Sequence, residues 1–318
     1  MKRNSKNQIH LVFFYTEGSG LDNGSNLRFQ ANLMIEKAKQ FFDSVIATCP
    51  RELIIQDPSW AKIFEDKRGW VRAELEKKSI SLMWNQNWAA LNFLIWKPTL
   101  IKHLFANNKI IRSGDIIFYH DINHEKYPEY LDNIELWGDY IQKQIQNCSV
   151  LLFNDNDMKI YQDTKQELIL RYFDNKKYWK NFHHIWAGAF AIKKDDYGNE
   201  FLQEWLGMCS QVDNVSPITD FYAYPGYIWH SQEQACLSVL YHLKKGDRKI
   251  KCIFLWGSRR LPAALASTIE WSLHSIKNGY FKYIFLWASR KIPAALTPAA
   301  QYLLTSIKNY FSKRNDKR

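Results

Sequence analysis

Five short apolar runs limit what this chain can become. They are residues 8–15 (QIHLVFFY), 44–48 (SVIAT), 116–119 (IIFY), 150–153 (VLLF) and 185–192 (IWAGAFAI). All five read as strands, and 116–119 and 150–153 are continuous enough in apolar character to be covered on both faces of a sheet. Between them lie segments whose apolar residues recur at helical spacing. These are 27–42, most of 58–95, a short helix opening at Trp96-Lys97-Pro98, then 129–146, 164–173, 195–210 and ACLSVLYHL (235–243). Pro98 is tolerated in a first helical turn, where its missing N–H has no partner to lose. The alternation predicts an α/β fold with helices on both faces of a sheet.

Composition narrows the class. Apolar residues make up 46% of the 318, enough for a real core, so wholesale disorder is excluded. The five cysteines, Cys49, Cys148, Cys209, Cys236 and Cys252, are odd in number and scattered without a CxxC pair. Neither a zinc site nor a disulfide framework is expected, and a reducing, cytoplasmic location follows. The N-terminal run from Ile9 to Tyr15 stops at Glu17, which suits a first strand better than a signal peptide. No stretch reaches the roughly 20 apolar residues that span a bilayer.

The formal charge of +11 is unevenly placed. Residues 252–318 hold eleven Lys/Arg against Glu270 and Asp316, whereas residues 1–251 are close to balanced. A near-neutral main domain argues against a nucleic-acid groove across it, and no nucleic-acid recognition motif is present. The basic tail is also an internal repeat. Residues 252–278 (CIFLWGSRRLPAALASTIEWSLHSIKN) align with 283–309 (YIFLWASRKIPAALTPAAQYLLTSIKN) at just over half of their positions. Each copy reads as an apolar strand or turn, a basic pair, a proline and a helix. The copies either pack as a helical pair on the main domain or lie as an interfacial surface on anionic membrane. Domains are therefore expected at 1–250 and 251–318.

Chemistry is concentrated at strand ends. The 116–119 run ends in His120-Asp121-Ile122-Asn123. Open α/β sheets place ligands where a strand delivers such a residue at its carboxyl end. A carboxylate and an amide oxygen two residues apart can share a hard cation such as Mg²⁺ or Mn²⁺. Asp155 and Asp157, after the 150–153 run, form a rival acidic pair. His183 and His184 are adjacent on a strand, point to opposite faces and are read as structural. The GSGLDNGSN loop (18–26) lacks the GxGxxG spacing and the P-loop lysine, so those two phosphate motifs are absent.

Five motifs in order resemble a bacterial and viral group of GT-A-type glycosyltransferases over roughly residues 8–243. They are Trp96-Lys97-Pro98, the GDIIFYHDIN strand, WAGAFAIKK (186–194), the FLQEWL helix (201–206) and HSQEQACLSVL (230–240). In that group a W-K-P helix precedes a GDI-[IL]-Y-x-D strand, and an H-x-x-D-Q box opens a later helix. Here Glu233-Gln234 stands in place of Asp-Gln, and Asp121-x-Asn123 in place of Asp-x-Asp or Asp-x-Gly. The duplicated tail lies outside the pattern.

The resemblance implies a Rossmann-like mixed sheet flanked by helices, with a mainly helical basic appendage. It also implies a nucleotide-sugar donor, a glycan or lipid-linked acceptor and Mn²⁺ or Mg²⁺. It places the metal on Asp121 with Asn123, and favours that pair over Asp155/Asp157. Donor contacts are expected from Thr16 and Glu17 at the nucleoside, Lys97 at phosphate or base, Asp121, and His230 at phosphate or sugar. Glu233 is expected on the acceptor side as general base or sugar-hydroxyl clamp, with Gln234. Trp186 is expected to stack on a sugar face, and Gly188 to let substrate approach the backbone. The enzyme reading competes with a catalytically idle sugar-nucleotide or glycan binder, and with a structural protein acting on membrane through the repeat.

Overall fold

The computed structural model describes residues 7–15, 27–78, 89, 92–122, 134–173, 177–218, 230–256 and 261–262. Seven strands form one mixed sheet: β1 Ile9–Phe14, β2 Ser44–Thr48, β3 Ile116–His120, β4 Val150–Lys159, β5 His183–Lys193, β6 Ile250–Trp256 and β7 Leu261–Pro262. The order is β2-β1-β3-β5-β4-β6-β7. β1 runs parallel to β2 and β3, and β4 runs parallel to β6, whereas β5 is antiparallel to both of its neighbours. Every residue of β1 and of β3 is buried, which is why their sequences carry no polar alternation.

The helices are α1 Leu27–Ala38, α2 Pro50–Gln56, α3 Trp60–Ile63, α4 Arg68–Lys78, α5 Trp96–Asn107, α6 Ile134–Gln144, α7 Ile160–Asp163, α8 Gln166–Tyr172, α9 Asp196–Cys209, α10 Val212–Val215 and α11 Glu233–Leu243. One sheet face carries Val12, Ile117, Tyr119, Leu152 and Phe190. It packs on Leu100, Ile101 and Leu104 of α5, Phe201, Leu202 and Trp205 of α9, and Ala235, Leu237 and Val239 of α11. On the other face Phe118 stacks on Trp137 of α6 at 5.2 Å, and Trp137 meets Phe153 edge-on at the same separation. α1 and α6 pack together. The α/β class with helices on both faces is as the apolar runs predict.

Two expectations change. The first repeat copy begins inside the sheet: its opening strand is β6, parallel to β4 from Val150↔Ile250 to Asp155↔Leu255. The first compact unit accordingly runs to Ala263, past the boundary expected at 250. The second unit, Ala264–Arg318, with the second repeat copy, lies outside the described residues. The strand that the apolar run at 150–153 opens also extends to Lys159, through register shifts between Leu152/Asn154 and Asp155/Lys159. Among the described residues no helix is long and apolar enough to cross a membrane.

Candidate functional site

The chain leaves β1 to one side for β2 and comes back on the other for β3, all three strands parallel. The carboxyl ends of β1 and β3 are therefore a topological switch point, where the connections diverge and leave a crevice. Tyr15 follows β1 there. Its N–H donates to the Thr48 carbonyl (3.0 Å) and its hydroxyl to Glu52 Oε1 (3.1 Å). Asp121 follows β3, with its N–H on the Gly188 carbonyl at 2.7 Å, so the β3–β5 ladder holds its backbone in place.

The Asp121 side chain is part of a buried charged cluster. The Lys97 ammonium, in the first turn of α5, lies 3.2 Å from Asp121 Oδ1 and 3.2 Å from Glu233 Oε1. It also donates to the Ala187 carbonyl at 3.4 Å. The rings of Trp96 and Tyr119 stand 5.8 Å and 5.6 Å from the same nitrogen. The Tyr119 hydroxyl donates to Asp121 Oδ1 at 2.6 Å. Lys97 is 5% exposed and Glu233 is 2% exposed, whereas the Asp121 side chain keeps 35% of its surface. Lys97, expected at phosphate or base, is surrounded here by two carboxylates and a carbonyl, and it joins Asp121 to Glu233. Burial alone would lower its pKa, but the charges of Asp121 and Glu233 outweigh that and raise it. Burial, reinforced by the Asp121 charge, holds the Tyr119 phenol well above its usual value.

Glu233 opens α11, and Trp205 of α9 pins it by donating its Nε1–H to the Glu233 carbonyl at 3.0 Å. Burial pushes its pKa up to about 7; Lys97 pulls it back, and the Asp121 charge adds a smaller upward push. Oε2 is buried and meets no hydrogen-bond partner among the described residues. Gln232, the residue before, is fully buried at φ 48°, ψ −115°, and does not cap α11. Both atoms of its carboxamide lack a partner among the described residues. The sequence gives no hint of this: Gln is not among the residues that commonly take positive φ, and it stands at a free position of the H-x-x-D-Q pattern.

β5 places the remaining candidates. At Gly188, expected to let a substrate approach the backbone, an added β-carbon would clash with the indole of Trp186. Trp186 is itself buried, edge-on to His120 at 6.0 Å. Gln234 turns inward. Its Oε1 accepts from the Ala187 N–H at 2.8 Å, and its Nε2 lies against His184 Nε2. That amide orientation makes His184 Nε2 an acceptor and leaves the ring proton on Nδ1, which faces Asp163 Oδ1 at 2.7 Å. Ser238 Oγ lies 3.2 Å from the same Nδ1. Ser238, His184 and Asp163 are the residue types of a hydrolase triad. However, the serine and the aspartate share one ring nitrogen, and the serine is fully buried with its hydroxyl donating to the Gln234 carbonyl. This is a structural network, as the histidine pair was read, and Gln234 belongs to it. His230, expected at phosphate or sugar, is likewise tied into the fold. Its Nδ1 accepts from the Lys165 N–H (3.2 Å) and its Nε2 donates to the Asn214 carbonyl (2.7 Å), so neither nitrogen is left for phosphate or sugar.

Thr16, Glu17 and Asn123 lie outside the described residues, as do the side chains of Asp155 and Asp157. Among the described residues no three His, Cys, Asp or Glu side chains gather as a metal site. Asp121 alone still suits Mg²⁺ or Mn²⁺: it is a hard oxygen donor, partly open, and held by Tyr119. Mg²⁺ commonly takes one or two carboxylates together with substrate phosphates and water. A scan of protein-family models finds no match to this chain, and a search of curated proteins finds none.

Proposed function

We propose that this chain is a glycosyltransferase on a GT-A-type scaffold. It moves a sugar from a nucleotide-diphosphate sugar to a hydroxyl of a glycan or lipid-linked acceptor. The observation that carries the reading is the ammonium-bridged carboxylate pair Asp121–Lys97–Glu233 at the switch point of a mixed sheet. It agrees with the resemblance over residues 8–243, because two of the motifs that carry the likeness, W-K-P and GDIIFYHD, and the glutamate of a third meet there.

The reaction forms a bond from an acceptor oxygen to the anomeric carbon and breaks the bond from that carbon to the diphosphate. Positive charge develops on the ring and negative charge on the leaving group. In a direct displacement Glu233 takes the acceptor proton. A carboxylate with a pKa of about 7 suits that role near neutral pH. Lys97 fixes the separation of Glu233 from Asp121, and Tyr119 orients Asp121. Asp121, with Asn123, would hold the Mn²⁺ or Mg²⁺. When bound, the cation would offset charge growing on the diphosphate. The basic tail supports a peripheral hold on anionic membrane near a lipid-linked acceptor.

The test is a thermal-shift screen with UDP-, GDP-, CMP- and dTDP-sugars, with and without Mn²⁺, on wild type, Asp121→Ala and Asp121→Asn, followed by a transfer assay. The expected result is a shift with one nucleotide class that needs the cation and is lost in both variants, with transfer abolished in Glu233→Gln. Binding without turnover would make the chain a non-catalytic sugar-nucleotide binder. No shift with any donor would overturn the reading.

A further inference from the structure

We propose that Gln232 is a ligand-contact residue, and that with Glu233 it grips two neighbouring hydroxyls of one glycosyl unit. The proposal rests on the glycosyltransferase reading and assigns that site a residue at a free position of the H-x-x-D-Q pattern.

Two consecutive residues at the N-terminus of α11 bury three polar atoms without partners among the described residues: Oε1 and Nε2 of Gln232 and Oε2 of Glu233. Buried side-chain polar atoms are nearly always hydrogen-bonded, because losing water without replacement is unfavourable. Gln232 adds backbone strain, since φ 48° with ψ −115° suits glycine and not a residue with a β-carbon. A position shaped for stability alone would carry glycine there and no buried amide. Strain with an unmet carboxamide, one residue from a carboxylate tied to the switch point, is what a preorganised binding group looks like.

The atoms also say what they would bind. The set holds one donor group and two acceptors. A phosphate offers no donor to the two acceptors and would meet the Asp121 and Glu233 charges. An ammonium ligand would satisfy the acceptors but not Nε2. A hydroxyl both donates and accepts, and vicinal hydroxyls on a sugar ring present two side by side. One can donate to Glu233 Oε2 while the other accepts from Gln232 Nε2 or donates to its Oε1. The diol can belong to the donor sugar or to the acceptor sugar.

The test compares wild type, Gln232→Gly and Gln232→Glu. Glycine removes the amide and relieves the positive φ, so it should fold at least as well as wild type; glutamate keeps the shape and removes the donor. Affinity for the nucleotide diphosphate and for the matching nucleotide-sugar is measured by calorimetry, and the acceptor KM by transfer assay. The expected result is an undiminished melting temperature in Gln232→Gly and unchanged nucleotide affinity in both variants. It goes with about a tenfold loss in one sugar-dependent quantity. Loss of the preference for nucleotide-sugar over nucleotide assigns the diol to the donor. A raised acceptor KM with that preference intact assigns it to the acceptor. If both variants bind and transfer as wild type does, the clamp is wrong and the glycosyltransferase reading stands. If wild type binds no nucleotide or nucleotide-sugar, that reading has failed, and methyl glycosides are then screened by saturation-transfer NMR. A glycoside signal lost in Gln232→Gly retains the clamp, and its absence or persistence overturns it.

Discussion

Lys97 shows how one side chain can set the chemistry of two others. It carries a single charge into a site 5% exposed, and it is tolerated because Asp121, Glu233 and the Ala187 carbonyl surround its ammonium. Removing one partner of a buried ion pair leaves the other charge uncompensated, at a cost of about 3–5 kcal/mol. Lys97→Met should therefore lower unfolding stability by that amount in a denaturant titration at pH 7.5, and a loss under about 1 kcal/mol would show that the cluster is not desolvated.

Glu233 makes a prediction with a definite sign. Its folded pKa, about 7, is above the ordinary glutamate value of 4.5. Any stability linked to it is fully present below the unfolded value and is lost as pH rises through the folded one. Glu233→Gln does not titrate, so its stability relative to wild type should rise by about 3 kcal/mol between pH 4.5 and pH 7.5. His242 works in the opposite direction: burial lowers its pKa to about 4, so its contribution fades as pH falls from about 6.5 towards that value. The comparison must therefore be between variants at each pH, not of wild type alone across pH. A relative stability that is flat with pH would mean that Glu233 keeps its ordinary pKa in the fold.

β5 is the element on which the site is assembled. It pairs with β3 on one side and β4 on the other, and Ala187 meets both Lys97 and Gln234. Its Gly188 has no room for a methyl group, because the Trp186 indole lies 2.3 Å from where the β-carbon would be. Gly188→Ala should cost about 1–3 kcal/mol, as overpacking does. Adding Trp186→Ala should relieve that clash, so the double variant should be more stable than the sum of the two singles. Strict additivity in thermal melts would show that the indole is free to move aside. α5 and α11 contribute differently. Each brings one charged residue, at its first turn, to a point fixed by β3, so the cluster depends on helix entry points more than on helix length.

Across the chain, the repeat and the sheet overlap. β6 is both the first segment of copy one and the partner of β4, so the unit that folds around the candidate site runs to Ala263. A chain ending at Ala263 should keep the cooperative melt of the full chain and any nucleotide-sugar shift. One ending at residue 249 should lose both, because β4 would expose its edge. A folded chain ending at 249 would contradict the pairing of β6. With the two shortened chains set beside vesicle pelleting on anionic lipid, loss of pelleting on removing 264–318 alone would locate membrane contact in the basic tail.

The buried strands, the helices between them and the switch-point aspartate are legible in the residues, because period and run length record burial directly. β3 and the start of β4 read as buried because both of their faces are covered, and the motif order points to Lys97, Asp121 and Glu233 one at a time. What the residues could not show is who faces whom. That Lys97 bridges two carboxylates, that His230 and Gln234 are held by backbone and ring, and that Gln232 is strained with an unmet amide all depend on contacts between segments far apart in sequence. Spacing along a chain constrains a residue's own element; it carries no information on which distant element arrives beside it. Only packing decided those contacts, and with them which candidates remain available to a ligand.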